Sequence, residues 1–438
     1  MGYRSGMDWM TTGLRIATLP TRPWTVLCPV PEDLDAVTSI GAEADPRDAD
    51  TTRHAVERVF DETRALYATG LYPAVQICIR RRGAIVLNRA IGYARGGTPQ
   101  GPVDESQRIP VTTDTPFRIY SATKAITAMV IHKLDDLGVL HIDDRVCDYL
   151  PEFRRPDKEQ ITLAHVLAHR AGIANVPAGA MELDLLERPE EIIRLIADMP
   201  LVLRPGRRLA YHAVTGGFVL GEIVRRATGD DIRSVLRKEI ADPIGLRWTN
   251  YGIPALDAPR LAEDALTGLP PVPPISQLFR RALGVDYTDV VKLAADPRFL
   301  AGIAPAANGV STAEELSAFY QCLLDEGEAR GQTVFEPRTV HRATVEQSYW
   351  ELDLTLGAPL RYGLGFMLGT WPASLWGWDT PHAFGHLGFT NIFSWADPER
   401  DLAAAVVTSG KPVMNAEALR LVSLIYTIGR SFPKTTDR

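Results

Sequence analysis

The stretch Phe117-Arg118-Ile119-Tyr120-Ser121-Ala122-Thr123-Lys124 decides how this chain is read. Its first half continues an extended segment from Thr115 and Pro116. Its second half opens a helical run with Ala125, Ile126, Met129, Val130, Leu134 and Leu137 apolar and Gly138 as the stop. Ser121 therefore stands at a helix start, and Lys124 lies about one turn along on the same face. Apolar side chains on most sides imply a buried helix, where desolvation disfavours a charged lysine. A neutral amine touching a serine hydroxyl accepts its proton, and the helix-start dipole and N–H groups favour developing negative charge. The same residues also fit an N-cap serine with a lysine snorkelling to water, because S-x-x-K alone is a weak signature. A second copy, Ser431-Phe432-Pro433-Lys434, lies in a polar tail whose proline opposes a regular turn.

A chain of 438 residues with a formal charge of −7 buries a large core as one large domain or two intimately packed ones. The acidic balance argues against nucleic acid. The clusters Arg80-Arg81-Arg82 and Arg280-Arg281 read as solvated faces or ion pairs. No apolar run approaches the ~20 residues of a membrane span, and residues 1–20 contain no compact apolar segment of a secretory signal. Cys28, Cys78, Cys147 and Cys322 are widely spaced, so reduced thiols and a cytoplasmic location are expected.

Outward from Ser121 the pattern sorts into segments. Residues 1–50 read as an irregular extension. A helix follows on Val56, Val59, Phe60 and Leu66. Ala74–Ile79 and the run from Ala84 to Tyr93 read as a hairpin turning at Gly83. Residues 121–299 read as a mainly helical domain. The Pro- and Leu-rich stretch 252–274 within it reads as a lid or binding wall. Strands return at 362–368, 383–388, 391–396 and 402–409, before a helix over 416–428. The expected fold is α+β: an antiparallel sheet built from 51–120 and 300–438, flanked by helices, with the helical domain inserted.

A serine nucleophile needs proton-transfer partners and oxyanion donors. Tyr211 follows the turn Arg204-Pro205-Gly206 and precedes a helix ended by Gly229, so it can point into a cleft or be a half-buried aromatic. In Phe384-Gly385-His386-Leu387-Gly388-Phe389 the glycines let a ligand approach the backbone. The N–H groups of Ser121 and Phe389 then suit an oxyanion hole, and His386 is either a cleft residue or an ordinary strand histidine.

These elements, in this order, resemble the serine β-lactamase and penicillin-binding-protein superfamily, in particular its class C branch and the family VIII carboxylesterases. The likeness runs from about Val56 to Ile428. It is carried by the Ser121 octapeptide, by Ile161-Thr162-Leu163-Ala164-His165-Val166-Leu167-Ala168-His169-Arg170-Ala171-Gly172, and by Tyr211 with Gly221-Glu222-Ile223. Ala307-Asn308-Gly309-Val310-Ser311-Thr312-Ala313 and Gly385-His386-Leu387-Gly388 complete it. The resemblance implies an acylated Ser121, proton transfer shared by Lys124 and Tyr211, and Gly388 and Phe389 on the strand closing the oxyanion hole. Two positions depart from the lactamase pattern: Ala213 stands where Y-x-N has Asn, and His386 where K-T-G has Lys. An ester substrate is therefore expected, with no cofactor, no metal and an oligomeric state left open. A β-lactamase or D-Ala-peptide hydrolase is the alternative. A catalytically silent ligand- or partner-binding relative is a third, opposed by the joint presence of Ser121, Lys124 and Tyr211.

Other constellations are weaker. His165 and His169 have i, i+4 metal-ligand spacing but no H-E-x-x-H glutamate. Gly309-Val310-Ser311-Thr312-Ala313 lacks the last glycine of a nucleophile elbow; Ser311 reads as the cap of a helix starting at Thr312, with Glu314 completing the box. Trp371, Trp376 and Trp378 suit either an acyl-pocket wall or core packing.

Overall fold

In the computed structural model, residues 25–176, 182–389, 391–413, 415 and 419–435 are described. Residues 1–24 of the extension and 416–418 of the last helix lie outside them. The centre is an antiparallel sheet in the order Thr38–Ile40, Ala84–Arg95, Ala74–Arg81, Leu402–Thr408, Ile392–Asp397, Phe384–Gly388, Met367–Leu368, Ala358–Tyr362 and Ser348–Asp353; Ile109–Pro110 also pairs with Ala84–Arg95. Both ends of the chain thus build one sheet. Part of the extension joins it: Thr38 pairs with Ile91 and Ile40 with Arg89.

The period of two along the strands sorts the core. Val75, Ile77 and Ile79 pack on one face with helices Arg53–Tyr67 and Leu419–Ser431. Ala74 and Cys78 pack on the other with helix Ala313–Leu324. Leu402, Ala404 and Val406 follow the first set, and Ala403, Ala405 and Val407 the second. Helices on both faces explain why these strands are almost continuously apolar.

The inserted segment is mainly helical, including Thr123–Asp136, Pro189–Asp198, Thr215–Thr228, Ile275–Leu283 and Tyr287–Ala295. A three-stranded sheet, Phe117–Arg118, Gly309–Ser311 and Asn250–Tyr251, joins the two parts directly before Ser121. Ser311 is in that sheet and shares a 2.7 Å hydrogen bond with Thr249. The cap of the following helix is Thr312, which accepts from the Glu315 N–H, so the expected Ser311 cap is shifted by one residue. Among the described residues no helix is long and apolar enough to cross a membrane.

Candidate active site

Ser121 sits in a single 3-10 turn, Tyr120–Ala122, that runs into helix Thr123–Asp136. Residues 122–131 are all buried, whereas Ser121 is half-exposed. The helix is held by Thr127, whose hydroxyl donates to the Pro305 carbonyl at 2.5 Å and shares a 2.9 Å bond with the Tyr251 hydroxyl. The buried Thr127 hydroxyl is thereby satisfied, and it ties the first turns of the helix to the Pro305 and Tyr251 segments.

Lys124 Nζ lies 3.1 Å from Ser121 Oγ and donates to the carbonyls of Ala213 at 2.8 Å and Ala306 at 2.9 Å. No ion pair among the described residues includes Lys124. Burial alone pushes its amine well below the usual lysine range. A neutral amine has two N–H bonds and one lone pair. The two carbonyls match the N–H bonds, which leaves the lone pair toward Ser121.

The Tyr211 ring packs beneath Lys124, with Nζ 4.9 Å from its centroid. Burial raises the phenol above its ordinary range, a hydrogen bond with Ser121 opposes this, and the charge of Asp353 adds to it. Tyr211 therefore keeps its proton at neutral pH. Its segment is held from two sides. The Tyr211 N–H donates to Asp353 Oδ1 at 3.2 Å, and that oxygen also accepts from Thr355 and Leu356 at 2.8 and 2.9 Å. The Leu209 N–H donates to Glu351 Oε1 at 2.9 Å, while Arg170 pairs with the other oxygen. On the opposite side, the Ala210 N–H donates to the His169 carbonyl at 3.0 Å and the His212 N–H to His169 Nδ1 at 3.1 Å.

Three histidines surround this pair. His169 stands outside helix Leu163–Leu167, with a left-handed backbone at φ 57°, so it does not share a helical face with His165 as expected. Its ring meets Tyr211 and Tyr362 at 4.7 and 4.9 Å. His386 is 2 % exposed, lies 6.3 Å from the Tyr211 ring and is not among the residues lining the Ser121 pocket. Its Nδ1 faces the Leu387 carbonyl at 2.8 Å and its buried Nε2 has no hydrogen-bond partner among the described residues. Burial, with the nearby lysine second, holds His386 at about 3; burial also holds His212 at about 3 and His169 well below its ordinary value.

Gly388 explains how the last strand group reaches the serine. A Cβ there would fall 2.4 Å from the Ile119 carbonyl oxygen, so only glycine permits this approach. Phe389 follows and borders the Ser121 pocket. Among the described residues the pocket is lined by Tyr120, Ser121, Ala213, Val214, Leu283, Val285, Val290, Leu293, Ala294, Phe299, Ala307 and Phe389, none of them charged. Its outer wall comes from residues 275–301, directly after the Pro-rich stretch expected to form a wall. These short helices fall within or at the end of the segment expected to be mainly helical, but the wall was expected one stretch earlier, at 252–274. The tryptophans are elsewhere: Trp376 is buried and stacked on Trp395 at 6.0 Å, and Trp371 and Trp378 are exposed. Glu222 is likewise structural, buried between Arg225 and Arg226 at 2.8 and 2.7 Å.

Residues 56–426 match the family model described as Beta-lactamase. The chain belongs to the beta-lactamase family. It is similar to Esterase/beta-lactamase LipL of Mycobacterium tuberculosis, with 30% identity over 77% of this chain and 80% of that protein. It is also similar to Esterase EstB of Burkholderia gladioli, with 32% identity over 46% of this chain and 52% of that one. Among solved structures, a family VIII carboxylesterase superposes with a TM-score of 0.73 at 26% identity, covering 89% of this chain and 100% of its own.

Proposed function

We propose that this protein is a serine carboxylesterase that works through an acyl-enzyme on Ser121. The observation that carries the reading is the Lys124 amine: desolvated, paired with no carboxylate among the described residues, bonded to two carbonyls and 3.1 Å from Ser121 Oγ. The Ser121 oxygen attacks the ester carbonyl as its proton moves to Lys124. The oxyanion is received by the Ser121 and Phe389 N–H groups. Collapse breaks the acyl–oxygen bond, and the alcohol leaves with a proton delivered through Tyr211, which Lys124 restores. Water then attacks the acyl-enzyme by the reverse transfers and frees Ser121.

The pocket supports an ester over a lactam. A β-lactam or a D-Ala peptide presents a carboxylate, and no cationic side chain lines this cavity among the described residues. His386 is buried and held neutral. An apolar acyl or alcohol group buries against Leu283, Val290, Leu293 and Phe299 without stranding a charge. The names of EstB and of the family VIII carboxylesterase point the same way, while LipL's name carries both activities. A cytoplasmic location belongs to the proposal and is checked by cell fractionation.

The test compares kcat/KM on p-nitrophenyl esters of increasing acyl length with that on a chromogenic cephalosporin. The ester should be preferred by at least about 10³-fold, the size of effect expected when a buried charge lacks its partner. Equal turnover of the cephalosporin would transfer the assignment to a β-lactamase, the other activity in LipL's name.

A further inference from the structure

Tyr120, the residue before the serine, has φ of 48°, a left-handed conformation that a bulky side chain adopts only when its surroundings hold it there. Its hydroxyl donates to Asp264 Oδ2 at 2.7 Å. Asp264 lies in the Pro-rich stretch 252–274 and is itself fixed by Arg118 at 3.0 Å and Lys411 at 3.3 Å. Arg118 also donates to the Ala294 carbonyl at 2.9 Å, and Lys411 to the Thr408 carbonyl at 2.8 Å. The Lys411 ammonium lies 4.8 Å from the centre of the Tyr120 ring. One buried carboxylate therefore joins the segment leading to Ser121, the residues following strand Leu402–Thr408 and the helix that walls the pocket.

We infer that Asp264 is a positioning residue for the nucleophile, acting through Tyr120. The inference rests on the serine esterase reading above. The Ser121 N–H belongs to the peptide plane that Tyr120 shares with Ser121, so the Tyr120 dihedrals aim that donor. The Tyr120 ring also packs on Phe389, 5.4 Å between centroids, and Phe389 carries the second donor. Anchoring the Tyr120 hydroxyl thus sets both halves of the proposed oxyanion site. Without the anchor, the ring keeps its apolar contacts but the peptide is free to relax toward ordinary dihedrals.

The experiment compares Tyr120→Phe, Asp264→Asn and their combination with the wild type. A fluorophosphonate titrates the reactive serine, and kcat and KM on a p-nitrophenyl ester are expressed per titrated site. Each single variant should lose about tenfold or more in kcat with KM changed less than about twofold, and the double variant should be no worse than the poorer single one. If Asp264→Asn fails to fold because Arg118 and Lys411 lose their partner, Tyr120→Phe alone still decides. A lower melting temperature or titratable fraction with unchanged kcat per site means that the bond is merely structural and overturns the inference. Failure of the fluorophosphonate to label Ser121 in the wild type overturns the underlying esterase reading and this inference with it. Normal labelling with unchanged kcat in Tyr120→Phe overturns only the positioning role.

Discussion

Lys124 faces a choice set by its surroundings. A lysine kept charged in a buried site without a carboxylate costs several kcal/mol, and shedding the proton removes that cost. Lys124→Arg tests this, because a guanidinium keeps hydrogen-bond donors but cannot act as a base at neutral pH. Ester turnover should fall by about 10²-fold or more in Lys124→Arg, as in Lys124→Ala, when acylation is followed in single turnover. Wild-type turnover in the arginine variant would show that a base at this position is not needed. Tyr211→Phe should also cost about 10²-fold, and the double variant Lys124→Ala/Tyr211→Phe should be far from multiplicative, because the two groups pass one proton. The spacing of Ser121 and Lys124 and the apolar run after them were legible in the sequence. The carbonyls of Ala213 and Ala306 that orient the amine were not, because backbone acceptors leave no mark in residue types.

The hairpin Ser348–Asp353 and Ala358–Tyr362 acts as a clamp on the Tyr211 segment through Glu351 and Asp353. Asp353→Ala removes the acceptor of three backbone N–H groups and should cost about 1–3 kcal/mol in urea unfolding, with a clear loss of kcat. Asp353→Asn retains one acceptor oxygen and should cost less. Equal activity in both variants would detach the clamp from Tyr211. This hairpin escaped the sequence reading because its period of two is broken: the register shifts between Ser348 and Glu351, and Trp350 has φ of 50°. In the central strand Ala74–Arg81 the register against Ala84–Arg95 shifts only after Ile79, past its apolar run, and Ala74–Arg81 and Leu402–Thr408 stand where apolar runs placed them. On the pocket wall, Leu293→Trp should shift the preferred p-nitrophenyl ester to shorter acyl chains if the acyl group lies there. An unchanged chain-length profile would place the acyl group elsewhere.

Across the whole molecule, buried neutral histidines tie stability to pH. Burial holds His132 at about 4 and both His212 and His386 at about 3, while an unfolded histidine titrates near 6.5. Between these values only the unfolded chain takes up the protons. Stability from these groups is therefore complete above about pH 6.5 and is lost as pH falls toward 4, by up to about 1.4 kcal/mol per pH unit for each. Urea midpoints should fall steeply from pH 6.5 to 4.5, and a flat profile would contradict the buried neutral state. The two-ended sheet was legible because apolar strands recur before Ser121 and after residue 360. Residues 275–301 were not recognised as the pocket wall, since three short helices give little periodicity and their role depends on packing far along the chain. The account as a whole turns on one covalent bond. Intact-mass spectrometry after treatment with a fluorophosphonate, followed by peptide mapping, should find a single adduct on Ser121 that is absent from Ser121→Ala while that variant keeps the wild-type melting profile. An adduct on Ser311, or full ester hydrolysis by Ser121→Ala, would contradict it.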